Sequence, residues 1–197
     1  MDCAPVDTRA GVLTSAAPLI PVKIVIAGGF GVGKTTFVGA VSEITPLTTE
    51  AAMTTASVGI DDLSKVGRKS TTTVAMDFGR ITVDEQLILY LFGTPGQDRF
   101  LFMWDDLSVG AVGAVVLVDT RRIDDCFAAI DYFEERDLPF VIGVNRFDGA
   151  RVHTDDDIRE ALALTNDVPL FHLDARERSG ATGALIRLVQ HAIARTF

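Results

Sequence analysis

The sequence predicts an α/β domain, a doubly wound, mostly parallel six-stranded sheet with one antiparallel hairpin. Three observations predict it. β-Branched apolar runs alternate with amphipathic helical patterns through the second half of the chain, a glycine-rich turn joins the first such run directly to a helix, and residues 74–92 hold two strand patterns around a short acidic turn.

Residues 1–21 mix Ala, Thr, Pro and isolated charges without a sustained period and lack the basic start and long apolar core of a secretion signal. They are expected to form a flexible leader, with the folded domain spanning 22–197. Lys23-Ile24-Val25-Ile26-Ala27 has the β-branched density of a buried parallel strand, and a helical pattern begins at Phe37. Between them, Gly28, four residues, Gly33, Lys34 and Thr35 have the spacing of a phosphate-binding loop in the strand-to-helix context that this pattern requires. Glycines let the backbone curl so that successive N–H groups face phosphate oxygens, and the helix N-terminus adds partial positive charge. Gly28, Phe30, Gly31, Val32, Gly33, Lys34, Thr35 and Thr36 are therefore the candidate phosphate-binding set. Lys34 supplies a point charge to the β and γ phosphates, and the Thr35 hydroxyl is a hard oxygen suited to Mg²⁺.

The first helix is predicted over 34–44, ending before Pro46. Residues 45–72 are rich in Thr, Ser and Gly without a strong period, and so long a connection in a compact domain tends to be functional. Strands are expected over 74–83 and 87–92, joined by Asp84-Glu85 into a hairpin. Gly93-Thr94-Pro95-Gly96-Gln97-Asp98-Arg99-Phe100 then forms a turn-rich loop at a strand's C-terminal end, where ligands sit in open α/β sheets. Strand 113–118, helix 123–136, strand 140–144, helix 154–164 behind a capping Thr154, strand 170–173 and helix 181–195 complete the alternation.

Composition narrows the function. The chain has 197 residues, enough for one well-buried domain, and 27 acidic against 18 basic residues give a net charge of −9. That balance argues against electrostatic binding to nucleic acid or anionic lipid. No stretch has the apolar length of a membrane span. Cys3 and Cys126 have no metal-ligand spacing, which points to a reducing, cytoplasmic compartment without a disulfide framework.

The phosphate loop, the threonine run before Asp77-Phe78, Gly96-Gln97-Asp98-Arg99-Phe100, Asn145-Arg146-Phe147-Asp148 and Asp174-Ala175-Arg176 stand in the order of the five nucleotide motifs of Ras-like small GTPases. The resemblance covers nearly the whole chain after the leader and implies the small GTPase form of the phosphate-loop NTPase fold. With Pro95 before Gly96-Gln97 and no aspartate opening that motif, the sequence resembles the bacterial MglA-type branch, and most of all the GTPases of actinomycete conservon operons. GTP/GDP and Mg²⁺ are the implied ligands. A roadblock-domain regulator and a sensor-kinase-like membrane protein are the implied partners, with recruitment to the membrane periphery through them.

By the resemblance, Asp148 accepts from N1–H and the 2-amino group of guanine, and adenine lacks that donor pair. Asn145 bridges the base edge and the phosphate loop, and Ala175, between Asp174 and Arg176, offers its N–H to the guanine oxygen. Arg146 stands where relatives have a lysine whose stem packs near the base. Thr73 matches the threonine that senses the γ-phosphate through Mg²⁺, with Thr71 and Thr72 as alternates, and residues 45–73 become the first switch region. Gly96 holds the γ-phosphate while Gln97 orients the attacking water, which makes Gln97, Lys34 and Thr73 the candidate catalytic residues.

Gly93 stands where most relatives have an aspartate serving Mg²⁺, so Asp77 on the neighbouring strand is the candidate substitute, alongside Thr35 and Thr73. A plain solvent-facing strand carboxylate is the other reading of Asp77. Phe30 puts bulk where it crowds Gln97 and an incoming arginine, which implies slow hydrolysis. The MglA-type arginine before Thr73 is replaced by Thr72, leaving Arg68 or Arg99 as substitutes or as solvated charges. The leading class is thus a GTP/GDP switch. A stably GDP-loaded scaffold, and less so a small-molecule kinase or ATPase on the same loop, are the alternatives.

Overall fold

The computed structural model describes residues 18–53 and 72–196. The first 17 residues of the expected leader, with Cys3, lie outside the described residues, as do 54–71 of the first switch region, with Arg68 and Thr71. The elements run β1 (Ile20–Gly28), α1 (Lys34–Val41), β2 (Leu47–Met53), β3 (Thr72–Thr82), β4 (Leu87–Gly93), a 3₁₀ helix (Asp98–Met103), α2 (Trp104–Ser108), β5 (Ala111–Val118), a 3₁₀ turn (Ile123–Cys126), α3 (Phe127–Glu135), β6 (Phe140–Asn145), α4 (Asp155–Ala161), β7 (Leu170–Leu173) and α5 (Arg178–Thr196).

One sheet holds every strand among the described residues, in the order β2-β3-β4-β1-β5-β6-β7. β1 pairs in parallel with both β4 and β5, and β5-β6 and β6-β7 are parallel as well. The expected antiparallel hairpin is β3-β4. Added to the expected set is β2, an edge strand that pairs antiparallel to β3 from Leu47↔Phe78 to Met53↔Thr72. Its sequence, Leu-Thr-Thr-Glu-Ala-Ala-Met, has no strand period of its own, and the ladder to β3 supplies the order.

Successive residues of β1 serve opposite faces, as the pleat requires. Ile24 and Ile26 pack with Phe37 and Val38 of α1 and Leu185 and Leu188 of α5. Val25 and Ala27 pack with Trp104 of α2, Phe133 of α3 and Ile158 of α4. Burying the central strands on both faces produces their near-continuous apolar runs. Functional loops therefore collect at the strands' C-terminal ends.

Helix ends differ from the sequence expectation for local reasons. α1 stops at Val41 rather than at residue 44, because Ser42 Oγ donates to the Ile44 carbonyl at 2.7 Å and accepts from Arg80 N–H at 3.2 Å, while Glu43 N–H donates to the Arg80 carbonyl at 2.9 Å. The strand takes the backbone groups that a further helical turn would use. α4 starts where predicted, behind a capping box between Thr154 and Asp157. It ends at Ala161 because Ala163 takes a left-handed φ of 51°.

Candidate functional site

The loop after β1 is built on glycines that no other residue replaces without cost. Gly28 has φ 126°, and a Cβ there would lie 2.3 Å from the Leu117 carbonyl oxygen. Gly33 has φ 106°, and its Cβ would meet Asn145 Nδ2 at 2.7 Å. The loop consequently closes against the end of β5 and against the loop after β6.

Lys34 is folded back into this loop. Its Nζ donates to the carbonyls of Gly28 at 2.8 Å and Gly29 at 2.7 Å. Burial pulls its pKa down from 10.5 to about 8, with the neighbouring Asp77 carboxylate acting in the opposite sense. Thr35 Oγ1 donates to Asp77 Oδ2 at 2.6 Å, and Asp77 is buried. Asp77 sits directly opposite Gly93 in the β3-β4 ladder, and a Cβ on Gly93 would come within 3.1 Å of Asp77 Oδ2. The side chain that Gly93 lacks has left its room to the Asp77 carboxylate. The reading of Asp77 as a solvent-facing carboxylate does not describe this buried position.

Phe30, Gly31, Gly33, Lys34, Thr35, Thr36, Asp77, Gly96 and Gln97 all line one cavity of about 360 Å³. Phe30 stands at its rim, 64 % exposed. Thr94, also on its wall, carries a buried hydroxyl without a hydrogen-bond partner among the described residues. Gly96 presses close: a Cβ there would be 2.6 Å from Lys34 Nζ and 2.8 Å from the Phe30 nitrogen. Thr73 belongs to β3, opposite Ala52, and its side chain lies outside the described residues.

The base half of the predicted site assembles around Asn145. Its Nδ2 donates to the Val32 carbonyl at 2.9 Å and its Oδ1 accepts the Ala175 N–H at 2.9 Å, tying three loops together at a buried point. The Ala175 N–H, read from the resemblance as a donor to the base, here bonds Asn145. Arg176 donates through Nε and Nη2 to Asp174, at 2.6 to 3.1 Å, and through Nη1 and Nη2 to Asp148, at 3.3 and 3.4 Å. These hydrogen bonds hold the Asp174 carboxyl down at about 2. Arg146, exposed, follows Asn145 on the same loop.

Three supports had no motif to mark them. Trp104 is buried between Tyr132 and Phe133, and its Nε1–H donates to the Pro95 carbonyl at 3.3 Å, which pins the loop carrying Gly96 and Gln97. Arg122 Nη2 donates to the Phe30 carbonyl at 2.6 Å and bridges to Asp125 at 3.4 Å. Arg121 pairs with Asp119 at 2.8 Å and lies 3.9 Å over the Phe147 ring, bracing the Asn145–Asp148 loop. The one signal available was the Asp-Thr-Arg-Arg run directly after a buried strand.

The arrangement suits a phosphorylated ligand with Mg²⁺. Thr35 and Asp77 offer two hard oxygens side by side. Mg²⁺ favours such a partial set, completed by phosphates and water. Among the described residues, no helix is long and apolar enough to cross a membrane.

Comparison with known proteins gives a family and a fold. A family model described as "Conserved hypothetical ATP binding protein" matches residues 26–195. An uncharacterized protein of Methanocaldococcus jannaschii is 31 % identical over 137 residues, covering 68 % of this chain and 76 % of the relative. Ras-related protein Rab-7b of Homo sapiens is 25 % identical over 186 residues, covering 89 % of this chain and 84 % of that protein. Among solved structures, the cytosolic domain of the T. maritima FeoB iron transporter in a GDP form superimposes with TM-score 0.61 at 16 % identity over 89 % of this chain, which spans 65 % of that structure's length. The FeoB G-domain of Methanococcus jannaschii gives TM-score 0.56 at 14 % identity, covering 88 % of this chain and 99 % of that one. The chain has the G-domain fold and belongs to the family described as conserved hypothetical ATP binding proteins.

Proposed function

We propose that the protein is a Mg²⁺-dependent guanine-nucleotide switch that hydrolyses GTP slowly and passes its state to partners through the loops around Gln97 and Thr73. The observation that carries this reading is Asn145, which joins the phosphate loop at Val32 to the loop of Ala175 while placing Asp148 three residues on. The asparagine of an unrelated Asn-x-x-Asp sequence has no reason to be buried against a phosphate loop.

Lys34 and the backbone N–H groups of Phe30 to Thr36 bind the phosphates, and Asp148 selects the base. Thr35 and Asp77 would hold Mg²⁺, with Thr73 the further candidate ligand. The chemistry a bound Mg²⁺ would supply there is neutralisation of phosphate charge. Gly96 and Gln97 complete the γ-phosphate side, Gln97 orienting water. Exposed Phe30 on the rim of the same cavity supports slow turnover, since its bulk stands where a partner's arginine would enter. The MglA-type and conservon resemblance adds a roadblock-domain regulator and a peripheral signalling complex with a sensor-kinase-like membrane protein.

The family description supports a second reading, in which the base is adenine. Equilibrium binding of fluorescent GDP to nucleotide-stripped protein with Mg²⁺, competed by GTP, GDP, ATP and ADP and repeated with Asp148→Asn, separates the two. Preference for guanine that is lost in the variant is expected. Equal competition by ATP, unchanged in the variant, would sink the guanine reading.

A further inference from the structure

A guanidinium and the recognition edge of guanine are chemically alike. Each presents parallel N–H donors from two nitrogens joined through one carbon, and each matches a carboxylate in bidentate fashion. Arg176 makes that match with Asp148: Nη1 to Oδ2 at 3.3 Å and Nη2 to Oδ1 at 3.4 Å. It is held in place for it. Asp174 takes Nε and Nη2 of the same guanidinium at 2.6 to 3.1 Å and also accepts the Arg176 backbone N–H at 2.9 Å, so the long side chain is already ordered beside the base-reading carboxylate.

The strength of a base filter of this kind is the cost of leaving its acceptor unpaired when the wrong base is bound. Guanine would offer Asp148 a new donor pair at the bidentate edge that Arg176 occupies, and so in exchange for Arg176. Adenine supplies none and leaves Arg176 where it is. The carboxylate keeps its partner in that complex, and the penalty against adenine shrinks by the worth of the Arg176–Asp148 pair. We infer that Arg176 is a specificity-determining residue that relaxes the filter, lowering the preference for guanine over adenine nucleotides below what Asp148 would impose unaided. This rests on the reading of Asp148 as the base-selecting group.

The readout is the ratio of ADP to GDP dissociation constants, in which contributions from phosphates, ribose and stacking on the purine face largely cancel. Arg176 is 60 % exposed and Asp148 89 % exposed, so the pair is of the weak, solvated kind and the substitution leaves the core untouched. Arg176→Ala is expected to raise the ratio by about two- to fivefold, the range open to an exposed ion pair. The gain should narrow as salt screens the pair in the wild-type protein. Asp148→Asn, measured beside it, is expected to collapse the ratio. A ratio unchanged or lowered by Arg176→Ala while Asp148→Asn still collapses it would overturn the inference and leave the base-reading role intact. A ratio that Asp148→Asn does not move would overturn both.

Discussion

The phosphate half of the site and the base half are built in opposite ways. Around the phosphates the working groups are buried and mutually satisfied: Lys34 and Asp77 are 8 % and 6 % exposed, and both are held by short hydrogen bonds to the loop or to Thr35. On the proposed base side, Asp148 and Arg176 stand in solvent, and the contacts between the two are longer. Buried charge-assisted contacts carry affinity, while exposed ones are worth little in stability and act mainly by what they refuse. On the proposed reading, the molecule separates holding a nucleotide from choosing one.

The comparison breaks most completely at Gly33, which belongs to both halves. Gly33→Ala puts a Cβ against Asn145 at a left-handed φ, and a loss of about 2 kcal/mol or more of stability is expected together with loss of nucleotide binding, measured by thermal unfolding with and without GDP. Lys34→Ala should affect the phosphate half alone, weakening GDP by about a hundredfold, near the upper end of what hydrogen bonds to charged groups contribute. The base preference of what binding remains should be unchanged; a shifted preference would mean that the halves are coupled. Asp77→Ala is expected to weaken Mg²⁺-dependent nucleotide retention by about tenfold, read from GDP release with and without chelator. Unaltered Mg²⁺ dependence would remove Asp77 from the metal site.

Lys34 also predicts a pH signature. Its pKa in the free fold lies near 8, below its ordinary 10.5, so the unfolded chain binds more protons in that window and the free protein gains stability as pH rises through it. Phosphates favour the protonated amine, so GDP affinity should fall over the same window by up to about tenfold per pH unit. Affinity flat from pH 7 to pH 10 would contradict the burial that sets this shift. The smallest effect is expected from Arg122→Ala, which frees the Phe30 carbonyl and should speed GDP release by about two- to threefold, within the worth of one partly exposed hydrogen bond.

What the sequence disclosed divides along similar lines. The buried strands and the phosphate loop were legible because their residue types follow from backbone demands: apolar on both faces, glycine where φ is positive, and Thr154 with acidic residues where a helix begins. Asp77 was reachable from the gap at Gly93. β2 was not, since its residues have no period and its order comes from β3. Arg121, Arg122 and Trp104 were hidden because each acts through a partner distant in the chain, at Phe147, Phe30 and Pro95, and no local pattern records such a contact. Nor could sequence alone show that Arg176 reaches Asp148, 28 positions away.

Trp104 has one more consequence. It is the single tryptophan of the chain, and its indole N–H bonds the residue next to Gly96 while its ring stacks in the core. A rearrangement of the Gly96-Gln97 loop alters the hydrogen bonding felt by that indole, with no second tryptophan to dilute a signal excited at its red edge. On the proposed reading, the protein carries a native optical reporter bonded to the residue before Gly96, and its emission should follow the position of that loop without a label.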